Sequence, residues 1–344
     1  AIEEALGNSQ YGEEEINELQ GKNEFLRKEN NRLYNAAVKN KYAADEVFEG
    51  MLDIVKGHVQ RITVPLPKNL QDHKGQVELV CNPWNSDPQL GKVTPSYNST
   101  VALERIERYT DKIIENTNRL RESYYIRKAH IWFLGDIVEG EGIFPTQPHV
   151  IDQSIYGQIY NLGVPAYASQ IRRLLEVFEE VVVVCVIGNH GRLSRYSNPE
   201  SNMDRMLYAT LSLMFENEPR VKFVIPHGYG ESMFWAVDKI GTYSTLLIHG
   251  DQMGPPTSAQ SYWKKVLGWK TGGIPVQFDD VAMGHWHQNT KFTLGTTVIR
   301  IAGSTESHNT FAQERLGVMG IPSQHMQMID PTFGVAWESD IFLD

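Results

Sequence analysis

Apolar and polar positions follow two different rhythms along this chain. In the first, Ile16, Leu19, Asn23, Leu26, Asn30, Leu33 and Ala37 recur at alternating spacings of three and four, with Leu at the d positions of a heptad. The pattern resumes weakly through Ala44, Val47, Met51 and Ile54, after an Asn40 at d. This predicts a long helix paired in a parallel two-stranded coiled coil, because an Asn at position a fixes register and two-stranded state when it meets its mate. Asn23 and Asn30 hold such positions. The same stripe also fits an amphipathic helix laid on its own domain, and Gly21 weakens either helix by about 1 kcal/mol. The expectation is a coiled-coil arm over 1–60 that makes a homodimer, followed by a second domain over 61–344.

After Pro65 and Pro67 the rhythm changes to short β-branched runs alternating with amphipathic stretches. Val77 to Val80 predicts a strand. A helix is expected from about Ser99 to Arg127, with Val101, Ile106, Tyr109, Ile113, Thr117 and Leu120 on one face. Strands are expected at Ile131 to Leu134, Val181 to Ile187, Lys222 to Ile225, Ser232 to Val237, Tyr243 to Ile248 and Val281 to Met283, with a second helix over Val164 to Glu180. Strands alternating with helices predict an α/β layered fold whose site is built where buried strands end.

Four of these runs close on polar motifs: Gly135-Asp136, Gly188-Asn189-His190, His249-Gly250-Asp251 and Gly284-His285-Trp286-His287. Together they offer the oxygen and imidazole ligands that a pair of divalent ions sharing one carboxylate needs. The other histidines, His58, His73, His130, His149, His227, His308 and His325, lie outside any motif and read as surface or satisfied core.

Composition narrows the function classes. With 344 residues and 41% hydrophobic content the chain can bury one large core plus an appendage, or two modest ones. Its two cysteines, Cys81 and Cys185, sit in apolar runs, which argues against a disulfide framework or a Cys-rich zinc site. No run reaches the roughly 20 apolar residues of a membrane span, and the acidic, Asn-rich beginning does not resemble a signal peptide, so a cytoplasmic location is expected. The formal charge of -10 opposes non-specific coating of nucleic acid. Residues 1–60 carry 12 acidic and 7 basic side chains, so the arm is not expected to grip DNA.

The order Asp87-x-Gln89, Gly135-Asp136, Gly188-Asn189-His190, His249, Gly284-His285-x-His287 resembles the calcineurin-like metallophosphoesterases over about 200 residues. Within that superfamily, Ser86-Asp87-x-Gln89-Leu90-Gly91-Lys92 and Gly188-Asn189-His190-Gly191-Arg192 resemble the phage and bacterial branch related to SbcD-type DNA repair nucleases. The resemblance implies a four-layered α/β/β/α sandwich and two divalent metal ions, Mn²⁺ foremost, with Mg²⁺, Fe²⁺ or Zn²⁺ as alternatives. It implies that Asp136 bridges both ions, that Asp87, Gln89 and His287 hold one, and that Asn189, His249 and His285 hold the other. His190 would then act on the leaving oxygen or the transferring phosphoryl group, with a metal-bridging hydroxide as nucleophile. Two positions depart from the pattern. Gln89 stands where an imidazole is usual, and Gly191 stands where an acidic residue usually follows the catalytic His. Gly135-Asp136-Ile137-Val138-Glu139-Gly140 resembles the protein phosphatase version of the motif, so Glu139 is a candidate to orient His190. It reads equally as a solvated loop carboxylate.

Substrate contacts are expected from Arg192 and Arg195, whose guanidinium forks suit a phosphate. The stretch Tyr262-Trp263-Lys264-Lys265 with Trp269 and Lys270 fits either base stacking or an ordinary amphipathic helix. Three function classes follow: a DNA phosphodiesterase, a phosphomonoesterase acting on nucleotides, small phosphoesters or phosphoproteins, and a catalytically weak binding scaffold. An ATPase partner like those of SbcD-type nucleases is a further expectation of the resemblance that no residue here specifies.

Overall fold

The computed structural model describes residues 13–67, 72, 75–145, 147–194, 197–226, 234–256, 258–307 and 320–344. Side chains of the first helix are described from residue 20 onward, except at 33–34, 37–38 and 40–44.

Two sheets face each other and helices cover both outer sides. The first sheet contains β1 (Glu78–Asn85), β2 (Tyr125–Phe133), β3 (Glu180–Cys185), β4 (Val221–Val224), β10 (Ser323–Asp330) and β11 (Gly334–Phe342), in the order β11-β10-β1-β2-β3-β4. From β1 to β4 the strands are parallel, while β10 runs antiparallel to both its neighbours. The second sheet contains β5 (Trp235–Ile240), β6 (Tyr243–Ile248), β7 (Asp280–Met283), β8 (Thr290–Leu294) and β9 (Thr297–Ile301), in the order β5-β6-β7-β9-β8.

The period-two geometry of a strand explains why its buried runs are apolar on both faces. Val181, Val183 and Cys185 face the outer helices, whereas Val184 and Val186 join Val80, Trp84, Trp132, Leu134, Leu247 and Ala282 between the sheets. On the far side of the second sheet, Leu246, Ile248, Val281 and Met283 pack beneath Tyr262, Val266 and Trp269. The four-layered α/β/β/α expectation thus describes the observed architecture.

Helix α1 spans Glu13–His58, and α2 spans Ser99–Leu120. The Asn98 side chain caps α2 by accepting from Val101 N at 3.0 Å, and Ala102, Ile106, Tyr109, Ile113 and Thr117 make its buried face. The expected helix to Arg127 overruns: α2 stops at Leu120 and β2 begins at Tyr125. Arg121 closes the intervening turn by donating to Ile126 O at 2.7 Å and Val177 O at 2.9 Å, and Tyr125 enters the sheet opposite Glu78. Helix α3 (Val164–Leu175) follows a π-helical turn at Gly157–Gly163 and is five residues shorter than expected. Helices α4 (Met203–Met214) and α5 (Ala259–Gly268) complete the layers.

Among the described side chains of α1, those that meet the rest of the chain lie in its later part. Phe48 is buried with the Arg205 guanidinium over its ring at 5.6 Å, Met51 and Leu52 are partly buried, and Asp45 accepts from the Ser201 hydroxyl. Farther up, Asn23, Leu26 and Asn30 are exposed. Ile16, Leu19, Leu33, Ala37, Asn40 and Ala44 lie outside the described side chains. Among the described residues no helix is long and apolar enough to cross a membrane.

Candidate metal centre

Every motif residue lies just past the carboxyl end of a strand: Asp87 and Gln89 after β1, Asp136 after β2, Asn189 and His190 after β3, His249 after β6, and His285 and His287 after β7. Both sheets therefore deliver side chains to one edge of the sandwich. The backbone there is unusual. Among the described residues the non-glycine positions with φ in the left-handed region are Asp87 (51°), Gln89 (45°), Asp136 (50°), His285 (68°) and His287 (53°). Such conformations cost of order 1–3 kcal/mol each and persist where surrounding structure imposes them, as at functional sites. His285 and His287 thus turn toward the centre through left-handed backbone.

Asp204 imposes the geometry of two loops at once. This buried carboxylate accepts from Asp136 N and Gly188 N at 2.9 Å through Oδ2, and from Ile137 N at 2.9 Å and Val138 N at 3.2 Å through Oδ1. Burial and the nearby Asp136 charge push its carboxyl up to about 6, against the pull of these donors. Gly188 must be glycine, because a Cβ there would land on the Asp136 carboxylate. On the other side, the Gln324 amide holds the Asp87 loop by accepting from Ser86 N at 2.9 Å and donating to Ser86 O at 2.7 Å, and Ser304 donates to Asp87 O at 2.7 Å.

The ligand atoms converge on a space that a proton cannot satisfy. His249 donates from Nδ1 to Leu134 O at 2.7 Å, which turns Nε2 inward. Nε2 then lies 3.0 Å from Asp136 Oδ2, 3.1 Å from Asn189 Oδ1 and 3.2 Å from His285 Nδ1. One proton on Nε2 can serve one of these acceptors, whereas a divalent cation can serve all of them. Asp136, His249 and His285 offer ligand atoms within 4.8 Å of one another. Alongside, Asp87 Oδ1 lies 3.2 Å from His287 Nε2, and the Asp87 carboxylate accepts from His285 N at 2.9 Å. The donor set of Asp136, His249 and His285 fits a divalent ion.

Electrostatics reflect the same crowding. Burial disfavours the His249 cation, yet the facing Asp136 carboxylate overrides it and pushes the ring up to about 10. Burial likewise opposes the His287 cation, and Asp87 and Glu306 raise it to about 9. His285 falls to about 4, through burial and repulsion from His249. Asp136 and Asp87 are both held below the usual carboxylate range: burial opposes this, and the neighbouring imidazoles prevail.

His190 stands at the rim. Its backbone N donates to Asp136 Oδ1 at 2.7 Å, its Nε2 lies 3.8 Å from Asp136 Oδ2, and its Nδ1 lies 3.1 Å from Glu139 Oε2. Glu139 is only 3% exposed, so it is not a solvated loop carboxylate. Burial works against protonation of His190, and Asp136 and Glu139 raise its pKa despite this. Gln89 reaches the same space, with Nε2 3.5 Å from His190 Nε2, but its Oε1 accepts from Lys92 at 2.7 Å. Arg192 pairs with Asp251 at 2.9 Å and is partly exposed, while Arg195 lies outside the described residues. Of the basic-aromatic stretch, Tyr262 and Trp269 are core, Lys265 donates to Gln252 O at 2.8 Å and Lys270 to Asp279 O at 3.0 Å.

Four residues to which the sequence motifs gave no role belong to this assembly: Lys92, Asp204, Glu306 and Gln324. Lys92 stands at the end of the Ser-Asp-x-Gln-Leu-Gly-Lys run, and the other three carry no spacing signal.

No protein-family model matches the chain, and no curated protein matches it either. Solved structures do show similarity. A hypothetical protein of Pyrococcus horikoshii aligns at 12% identity over 77% of this chain and 89% of its own, with TM-score 0.42. An archaeal phosphodiesterase aligns at 11% identity over 76% and 99%, with TM-score 0.37. The phosphoesterase YfcE of E. coli aligns at 15% identity over 76% and 99%, with TM-score 0.34. Alignments this loose transfer neither a residue role nor an activity, and the chemistry rests on the site itself.

Proposed function

We propose that this chain is a metal-dependent phosphoesterase and that its substrate is a DNA phosphodiester. The observation that carries the first part is the convergence of Asp136 Oδ2, Asn189 Oδ1 and His285 Nδ1 on His249 Nε2, with Asp87 and His287 beside them. Divalent ions held there, Mn²⁺ foremost, would polarise a phosphoryl oxygen and acidify water. Asp136, Asn189, His249 and His285 would hold an ion there, with Asp87 and His287 beside them. His190, with Nδ1 facing Glu139 Oε2 at 3.1 Å, would pass a proton from Nε2 to the leaving oxygen. His190→Ala should therefore keep bound metal and lower turnover by roughly 10² to 10⁴.

The DNA part rests on the resemblance of the Asp87 and His190 motifs to SbcD-type nucleases and on an arm that would bring two sites together in a dimer. The net charge of -10 favours a second reading, a phosphomonoesterase acting on smaller substrates. Incubation with Mn²⁺ and labelled single- and double-stranded DNA, beside nitrophenyl phosphate mono- and diesters, separates the two. With Asp136→Asn as the blank, DNA cleavage absent from the blank supports the nuclease. Monoester turnover with DNA intact moves the protein to the phosphatase reading. Failure to retain any Mn²⁺ sinks both and leaves the binding scaffold.

A further inference from the structure

We propose that the Lys92 ammonium, and not a second metal ion, commands the Gln89 amide oxygen, so that the centre holds one divalent ion tightly and the other far more weakly. This rests on the metallophosphoesterase reading.

Lys92 Nζ lies 2.7 Å from Gln89 Oε1, 2.9 Å from Glu306 Oε1 and 3.9 Å from Glu139 Oε2, on a side chain 12% exposed. Both carboxylates reach onward to imidazoles: Glu306 Oε2 is 3.1 Å from His287 Nδ1, and Glu139 Oε2 is 3.1 Å from His190 Nδ1. One buried cation therefore organises the Asp87 half of the centre from behind. It acts there in two ways. It occupies the neutral oxygen that would otherwise face an ion, and it places a positive charge where an incoming dication must approach, at distances where buried charges are poorly screened. The other half has no such direct donor. Among the described residues no lysine or arginine donates to Asn189, His249 or His285, and His249 Nε2 faces three acceptors directly. The amide at position 89 and the ammonium at 92 thus form a unit: an imidazole at 89 would offer the ammonium only its lone pair, which it would need for the ion.

Chelator-stripped wild-type protein titrated with Mn²⁺ by calorimetry, with retained metal counted after desalting, tests this directly. One ion should survive desalting, and the second should bind roughly 10- to 100-fold more weakly, the scale on which ligand-supporting groups act. Lys92→Gln, which keeps a donor for Glu306 and removes the charge, should tighten the second ion by roughly tenfold and leave the first unmoved. Two ions of equal affinity in the wild type, or a second ion unmoved in folded Lys92→Gln, would overturn the proposal. The wild-type measurement stands alone if the variant does not fold. Binding of no ion at all would sink the phosphoesterase reading beneath it.

Discussion

Metal loading should expel protons, and the geometry says from where. In the ion-free protein His249 carries a proton on Nε2 that faces Asp136 at 3.0 Å, with its pKa pushed up to about 10, and His287 sits at about 9. Both rings are cationic at pH 7.5. The Nδ1 of His249 is tied to Leu134 O and that of His287 faces Glu306, so it is the Nε2 proton that an ion must displace in each case. The first ion, held by the His249 half, should release about one proton at pH 7.5, and full loading should approach two. Its apparent affinity should rise about tenfold per pH unit between pH 7 and 9 and level off as pH passes about 10. The stability of the ion-free protein should move the other way. A base whose pKa is raised on folding contributes fully below its unfolded value near 6.5 and loses that contribution as pH rises through its folded value, so chelated protein should weaken from about pH 6.5 to pH 10. Calorimetric titration in two buffers of different ionisation enthalpy counts the protons. Release of fewer than half a proton per first ion, or an affinity flat across pH 7 to 9, would refute the Asp136–His249 assignment.

Other consequences can be checked separately. Removing the Glu139 charge by Glu139→Gln should move the alkaline limb of the diester kcat/KM profile to lower pH, since Glu139 helps hold the His190 proton; an unmoved limb would detach Glu139 from His190. Asp204→Asn turns an NH₂ toward two of the four backbone donors, stranding them at about 1–3 kcal/mol each, partly offset because no charge is buried. A net loss of at least about 1 kcal/mol in urea unfolding, with weaker Mn²⁺ retention, is the expected result. We further propose that α1 dimerises as a coiled coil through its exposed stretch. Deleting residues 1–44, which spares the buried Phe48, should leave a folded monomer by light scattering, and a persistent dimer would place the interface elsewhere.

What could be read from the sequence and what could not divide along physical lines. Asp136, His249 and His285 were legible because each ends a run of buried β-branched or apolar residues, and a polar residue at such a boundary stands out. The overrun of α2 to Arg127 arose because the polar segment 121–124 between Leu120 and Tyr125 contains neither Gly nor Pro to mark the turn. Strands β8 to β11 do not announce themselves because polar residues interrupt their apolar runs, and in β9 and β10 several of these, among them Arg300, Gln324 and Gln327, are buried. Asp204, Glu306 and Gln324 were invisible for another reason: each acts on partners brought close only by the tertiary fold. Gln324 holds Ser86 across 238 positions of sequence, and no local period encodes such a contact.

That last contact sets an order of events in biogenesis. Strand β1 lies between β2, which follows soon after it, and β10, whose Met328 sits opposite Cys81. During synthesis the Asp136 and Asn189 loops can be shaped by Asp204 as soon as α4 has emerged, but the Asp87 loop waits for Ser304 and Gln324. Pairings this distant in sequence close late and slowly. A nascent chain therefore shapes the Asp136 and Asn189 loops well before the Asp87 loop, which is fixed only when the β10–β11 hairpin has docked.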